Sequence, residues 1–279
     1  MILTGRILFP VFPADGHEAE HQLAALAAHT GHSPALLTRR LSREPGEAEG
    51  LLDSVAGRLD ALGAPVAARH IVDGNLADAV LRCAEEDDAA MIFMPAGPEA
   101  REDVRHTGVE AEAIARNARR PVWIAKPHTP AELETVICAV DERRASAEAL
   151  KAAIELARCY SARLRIVRAA HPPADGDPVT VAMDERERVE ARQSAGNRIE
   201  NAFEDFLEGF NVEGLPRVEH RLLWADRASR AITDAAGENP NALLVLGSSG
   251  VHRFLRPMLG TTSERVLQHA PCSLLFVKY

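Results

Sequence analysis

The sequence predicts an α/β protein made of two tandem copies of an open, mostly parallel five-stranded sheet flanked by helices. Three observations predict it. Short apolar runs alternate with longer stretches of helical periodicity, the mark of parallel strands joined by crossover helices. The whole pattern begins again after roughly 150 residues, which is a duplicated domain and not a solenoid. Apolar residues make up 46% of the chain but aromatics only 4%, so the cores must be aliphatic, as suits helices on buried parallel strands.

In order, residues 6–12 (RILFPVF) read as the first strand. Residues 18–29 are helical, with Leu23 and Leu26 on the apolar face. Residues 35–40 form the second strand, and 51–62 a helix with Leu51, Val55, Leu59 and Leu62 at steps of four and three. A strand at 66–72, a helix at 76–85, a strand at 89–94, a helix at 109–118 and a strand at 121–125 (PVWIA) complete the first copy. A polar, proline-bearing linker at 126–134 follows. The second copy runs through a strand at 135–140, a helix at 146–160 and a strand at 164–169. Next comes a long charged helix at 184–208, in which Gly196 is a candidate break. Segments 218–223, 228–236, 242–246, 263–268 and 273–277 close the set. Similar strings support the repeat: ARRPVWIAK (118–126) with APCSLLFVK (270–278), and AAMIFM (89–94) with NALLVL (241–246). The expected domains are residues 1–126 and 135–279. The last strand of each copy is a short apolar edge, and pairing the two edges antiparallel covers both.

Charge narrows the functions. The chain has 32 basic and 41 acidic residues, and a split at Pro130 gives 13 and 19, then 19 and 22. Neither half is basic, which argues against nucleic-acid binding through phosphate neutralisation. Cys83, Cys138, Cys159 and Cys272 form no C-x-x-C pair or zinc spacing; Cys83, Cys138 and Cys272 read as small core residues in a reduced, cytoplasmic protein. No apolar run approaches the roughly 18 residues of a membrane span, and the N-terminus reads as a strand and not a signal peptide.

The chemistry gathers in the second copy. The strand ending at Leu246 runs into GSSGVHRFLRPMLGTTSERV, with Gly247, Ser249 and Gly250, and then Gly260, Thr261, Thr262 and Ser263 opening a helix. Glycines after a strand let backbone approach a ligand, and free N–H groups at a helix start attract an anion. One Gly-x-x-Gly pair alone would more often be a turn. The full spacing G-x2-G-x9-G-T is far more specific.

This segment resembles the nucleotide-binding signature of the universal stress protein family, and the likeness extends over the chain as two tandem copies. The resemblance implies an adenine-nucleotide-hydrolase-like, Rossmann-like fold and a stress-response protein that binds ATP or another adenine nucleotide in its C-terminal domain, with or without Mg2+, as a switch or very slow ATPase. It implies that Asp141, after the strand VICAVD, meets the ribose or base. The same carboxylate also reads as a helix N-cap. By position, Ala169 would offer backbone to adenine, and Ala139 stands where the family often has proline. The paired edges resemble the way single-domain members dimerise, and a homodimer of the whole chain stays open. The alternative is a tandem stress-protein scaffold that binds no nucleotide and acts through protein partners. No residue stands out as a base to activate water.

The first copy lacks the donor set. Phe12 falls on Asp141, Pro95 on Gly247, Pro98 on Gly250 and Val109 on Thr261. Proline has no N–H to offer a phosphate. Separately, His17, Glu18 and His21 match the zinc motif H-E-x-x-H, but the longer form fails at Ala24 and Ala27. A solvated histidine pair is the better reading.

Overall fold

Ten strands lie in one continuous sheet in the computed structural model, which describes residues 5–12, 17–40, 46–97, 107–172, 185–239, 241–248 and 259–279. The first half contributes β1 (Ile7–Pro10), α1 (Glu18–Thr30), β2 (Pro34–Arg39), α2 (Glu47–Ala61), β3 (Ala68–Val72), α3 (Leu76–Glu86), β4 (Met91–Pro95), α4 (Val109–Asn117) and β5 (Val122–Ala125). The second contributes β6 (Thr135–Ala139), α5 (Arg144–Cys159), β7 (Arg163–Ala170), α6 (Glu185–Glu208), β8 (Val218–Trp224), α7 (Ala228–Gly237), β9 (Leu243–Ser248), α8 (Thr261–His269) and β10 (Ser273–Lys278). Strand order is β3-β2-β1-β4-β5-β10-β9-β6-β7-β8. Every neighbouring pair is parallel except β5 with β10.

The two halves repeat in register as well as in order. Ile7 pairs with Met91, and Val136 with Leu243. Ile92 pairs with Val122, and Leu244 with Leu274. The bond from Val11 N–H to the Leu37 carbonyl (2.8 Å) recurs from Val140 to Val167 (2.9 Å). Phe12 therefore occupies the place of Asp141, and Pro95 that of Gly247. In each half the chain leaves the central strand (β1 or β6) on one side and returns on the other. That reversal opens a crevice at the strands' carboxyl ends.

Aliphatic side chains fill both faces of the sheet. One core joins Leu23, Leu52, Phe93, Trp123, Leu156 and Leu275; the other joins Leu37, Ile92, Ile114, Leu244, Val266 and Phe276. Helix α5 is alanine-rich and buries Ala149, Ala152, Ala153 and Ala157, which brings its backbone close to the sheet. Gly196 does not break α6, which is continuous over Glu185–Glu208. An exposed helix interior absorbs one glycine at about 1 kcal/mol. Cys83, Cys138 and Cys272 are buried and Cys159 is exposed.

Two polar devices tie the halves together. Gln22 of α1 donates from Nε2 to the carbonyls of Lys126 and Thr129, both at 3.0 Å, and its Oε1 accepts from Ser273 Oγ at 3.1 Å. Ser273 Oγ also accepts the Lys126 N–H at 2.9 Å. The second device uses a lysine from the end of each paired strand. Lys278 Nζ donates to the Ala115 carbonyl on α4 at 2.6 Å. Lys126 Nζ donates to Thr107 Oγ1 at 2.8 Å, and that hydroxyl donates to the Leu267 carbonyl on α8 at 2.9 Å. Burial lowers the Lys278 ammonium from its ordinary 10.5 to about 8.

Candidate functional site

The crevice of the second half is a pair of adjoining pockets. The inner one, about 110 Å³, is lined by Ala139, Asp141, Ala169, Leu246 and Gly247 together with Ile232 of α7. The outer one, about 450 Å³, is lined by Gly247, Gly260, Thr261, Thr262 and Ser263, and also by Arg143, Arg144 and Tyr279. Asp141, Ser146, Gly247, Thr262 and Ser263 border both. Nine of the eleven site residues expected from sequence thus surround one connected space. The other two, Ser249 and Gly250, lie outside the described residues, as does Pro98.

Each wall has a local cause. β6 ends at Ala139, and the chain turns into α5 through Glu142, which adopts a left-handed φ of 58°. Asp141 stabilises that turn. Its Oδ1 accepts the Arg143 N–H at 3.2 Å and the Ser146 hydroxyl at 2.6 Å, while Ser146 Oγ accepts the Asp141 N–H at 3.1 Å. The N-cap of α5 is Arg143, with no side-chain cap of its own. This corrects the expectation of Asp141 as N-cap: the carboxylate braces the turn two residues earlier. Its Oδ2 lies 3.5 Å from Arg143 Nε, and the side chain is 56% exposed, which leaves acceptor capacity toward a ligand hydroxyl.

Gly247 plays a different part from the one its sequence position suggests. It lies within β9, paired with Val277. A Cβ placed there would come within 2.3 Å of the Ala145 carbonyl oxygen. The missing side chain lets the first turn of α5 press onto the strand end. Gly260 is the reverse case. A Cβ there meets nothing within 4 Å, but its φ is +85°, a conformation that favours glycine. It is the N-cap of α8 and has no side chain to satisfy the first N–H groups of residues 261–263, which border the pocket.

Sequence reasoning missed Arg143, Arg144 and Tyr279. The Arg144 guanidinium carbon lies 4.5 Å from the Tyr279 ring centroid. A signal was present: two arginines at a helix start oppose the helix dipole. The equivalent mouth of the first half has Phe12, Pro95, Gly108 and Val109. Gly108 is extended, with φ of −64°, and its N–H is spent on the Ala96 carbonyl at 2.6 Å. Glu110 and Glu112 occupy the first turn of α4.

The H-E-x-x-H segment holds no metal geometry. His21 Nδ1 lies 2.9 Å from the His17 carbonyl, and Glu20 is buried in a bidentate pair with Arg58 at 2.7 Å. Among the described residues, no cluster of three or more His, Cys, Asp or Glu side chains is arranged to hold a metal. No helix among them is long and apolar enough to cross a membrane. A separate pocket of about 540 Å³ lies against β8 and α7. It contains none of the motif residues.

Residues 132–278 match the sequence profile described as the Universal stress protein family. A protein of Thermus aquaticus, the universal stress protein in the QAH/OAS sulfhydrylase 3' region, is 29% identical over 147 residues, covering 52% of this chain and 98% of that one. The fold also matches solved structures over 99% of the chain. A functionally unknown protein from Pseudomonas aeruginosa PAO1 gives a TM-score of 0.73 at 18% identity over 94% of its length. A universal stress protein from Archaeoglobus fulgidus DSM 4304 gives 0.66 at 17% identity over 97% of its length. At such identities these two likenesses speak for the fold alone.

Proposed function

This chain belongs to the universal stress protein family, and from that premise we propose that it binds one adenine nucleotide, ATP with Mg2+, in a nucleotide-binding domain formed by residues 135–279. Residues 1–126 form a related domain that has lost its site. The observation that carries the reading is the convergence of Ala139, Asp141, Ala169, Leu246 and Gly247 with the open start of α8 around one space. The phosphates lie at the α8 end, where the first-turn N–H groups and the hydroxyls of Thr261, Thr262 and Ser263 favour anions. The base lies in the inner pocket against Ala139, Ala169 and Ile232, with Asp141 accepting ribose or base hydrogens. Hydroxyls and a carboxylate fit a Mg2+ ion carried in with the phosphates. No described residue of the site is arranged as a base beside an attacking water, and the nucleotide acts as a switch, with at most slow hydrolysis.

One observation favours the scaffold reading. Gly247 is explained by its packing on Ala145, without any ligand. Calorimetric titration with ATP and Mg2+ separates the two. One site per chain is expected. Two equivalent sites would show that the first half is competent after all, and an absence of heat with every adenine nucleotide would leave the scaffold.

A further inference from the structure

Helices α1, α2, α3, α4, α6 and α8 each carry an acidic residue in the first turn, as the helix dipole favours. Helices α5 and α7 carry none, and α5 starts instead with two arginines, Arg143 and Arg144. Both arginines line the outer pocket, where α8 also presents its N-terminus. Two positive helix ends and two guanidinium groups therefore border one cavity. Asp141 lines the same cavity 3.5 Å from Arg143 Nε and offsets one of these charges; the positive charge that is left favours an anion.

Arg144 is also restrained. Its guanidinium lies over the Tyr279 ring at 4.5 Å, and Tyr279 is fixed by its N–H, which donates to the Ser248 carbonyl at 3.1 Å. Stacking leaves the edge of a guanidinium free for bidentate hydrogen bonds to phosphate. The first half has nothing comparable. Counting on from Phe12, Ala14 and Asp15 stand in place of the arginines, and Pro127 takes the place of Tyr279. The three residues accompany the second mouth alone.

We infer that Arg144, held by Tyr279, and its neighbour Arg143 form an outer phosphate clamp that makes this site selective for nucleotides with more than one phosphate. The inference rests on the adenine-nucleotide reading above. A single phosphate is satisfied by the α8 N-terminus and leaves the arginines in water. The second and third phosphates extend toward the α5 wall, where each guanidinium meets an oxygen pair.

The test is calorimetric titration of the full chain with AMP, ADP and ATP in the presence of Mg2+, for wild type, Arg144→Gln, Arg144→Lys and Tyr279→Leu. Wild type should bind ATP about 10-fold or more tightly than AMP. Arg144→Gln should weaken ATP about 10-fold while leaving AMP within about 2-fold, and Arg144→Lys should recover only part of the loss. Tyr279→Leu should move in the direction of Arg144→Gln. Thermal melting of each variant establishes that it is folded. If ATP and AMP weaken equally in Arg144→Gln, or neither changes, the clamp is wrong and the nucleotide site stands. If wild type binds none of the three, both readings fall.

Discussion

Trp123 lies directly opposite Leu275 in the antiparallel pairing of β5 with β10, and Leu275 is the residue that holds Trp123's own position in the second half. A residue that faces its own counterpart marks a two-fold relation. The neighbouring rungs agree, since Ile124 meets Leu274 and Val122 meets Phe276. The lysine devices obey the same relation, because Ala115 and Leu267 are counterparts too. Both Trp123 and Leu275 are 1% exposed, so the join is as dry as either core.

Leu275→Asp should separate the halves before it melts either one. It puts a carboxylate where no water reaches, at a cost of several kcal/mol. Trp224 is 42% exposed and Trp123 is buried, so a Trp224→Phe background makes Trp123 the only indole reporter. In that background the change should shift emission to the red and speed proteolytic cutting in residues 126–134. Emission and cutting rate equal to those of the parent would refute the seam.

Gln22→Leu should cost about 2–3 kcal/mol, because it strands the carbonyls of Lys126 and Thr129 and one bond of Ser273. Urea unfolding measures it. Lys151 on α5 is exposed, and Lys151→Leu should change the midpoint little. Equal effects at the two positions would mean that the Gln22 bonds carry no weight.

The two motif glycines should fail differently. Gly247→Ala drives a Cβ into the Ala145 backbone, so the first turn of α5 must move. It should lose about 2 kcal/mol or more of stability and weaken ATP binding as well. Gly260→Ala has open space and suffers only from its positive φ, a cost of about 1 kcal/mol. Melting temperature and ATP titration read together distinguish the cases, and a Gly247→Ala protein as stable as wild type would contradict the packing.

Lys278 sets a pH dependence. Burial lowers its ammonium to about 8 from 10.5, so the unfolded chain holds that proton more tightly than the folded one. Stability from this group therefore rises with pH between about 8 and 10.5, and below 8 the burial penalty is fully present. Lys278→Met should lack that rise. Its stability advantage over wild type should shrink by about 1–3 kcal/mol from pH 7 to 10.5. A difference that stays constant over this window would disprove the shift.

Alternation and repetition made the sheet legible from sequence, because burial on both faces imposes apolar runs on the strands wherever they lie. The site was legible where the motif is local, as with Gly260 and residues 261–263. Gly247 borders the pocket, but its packing cause was not legible, since its neighbour Ala145 comes near only once α5 packs on the sheet. Tyr279 meets Arg144 across 135 positions of chain (279 minus 144), and no spacing rule reaches that far. Gln22 and Ser273 are more distant still, joined only by the fold.

The seam at Trp123 and Leu275 has a consequence for growth of the sheet. It uses up the two most apolar edges and leaves β3 and β8 at the ends. Those strands carry Arg69 and His70 on one side and Glu219, His220 and Arg221 on the other. Several of these charges are already engaged, Arg69 with Asp53 and Arg221 with Glu238. A further strand docking on either edge would have to dehydrate or break these pairs. The fusion thus turns an architecture that could polymerise edge to edge into a ribbon of ten strands that terminates itself.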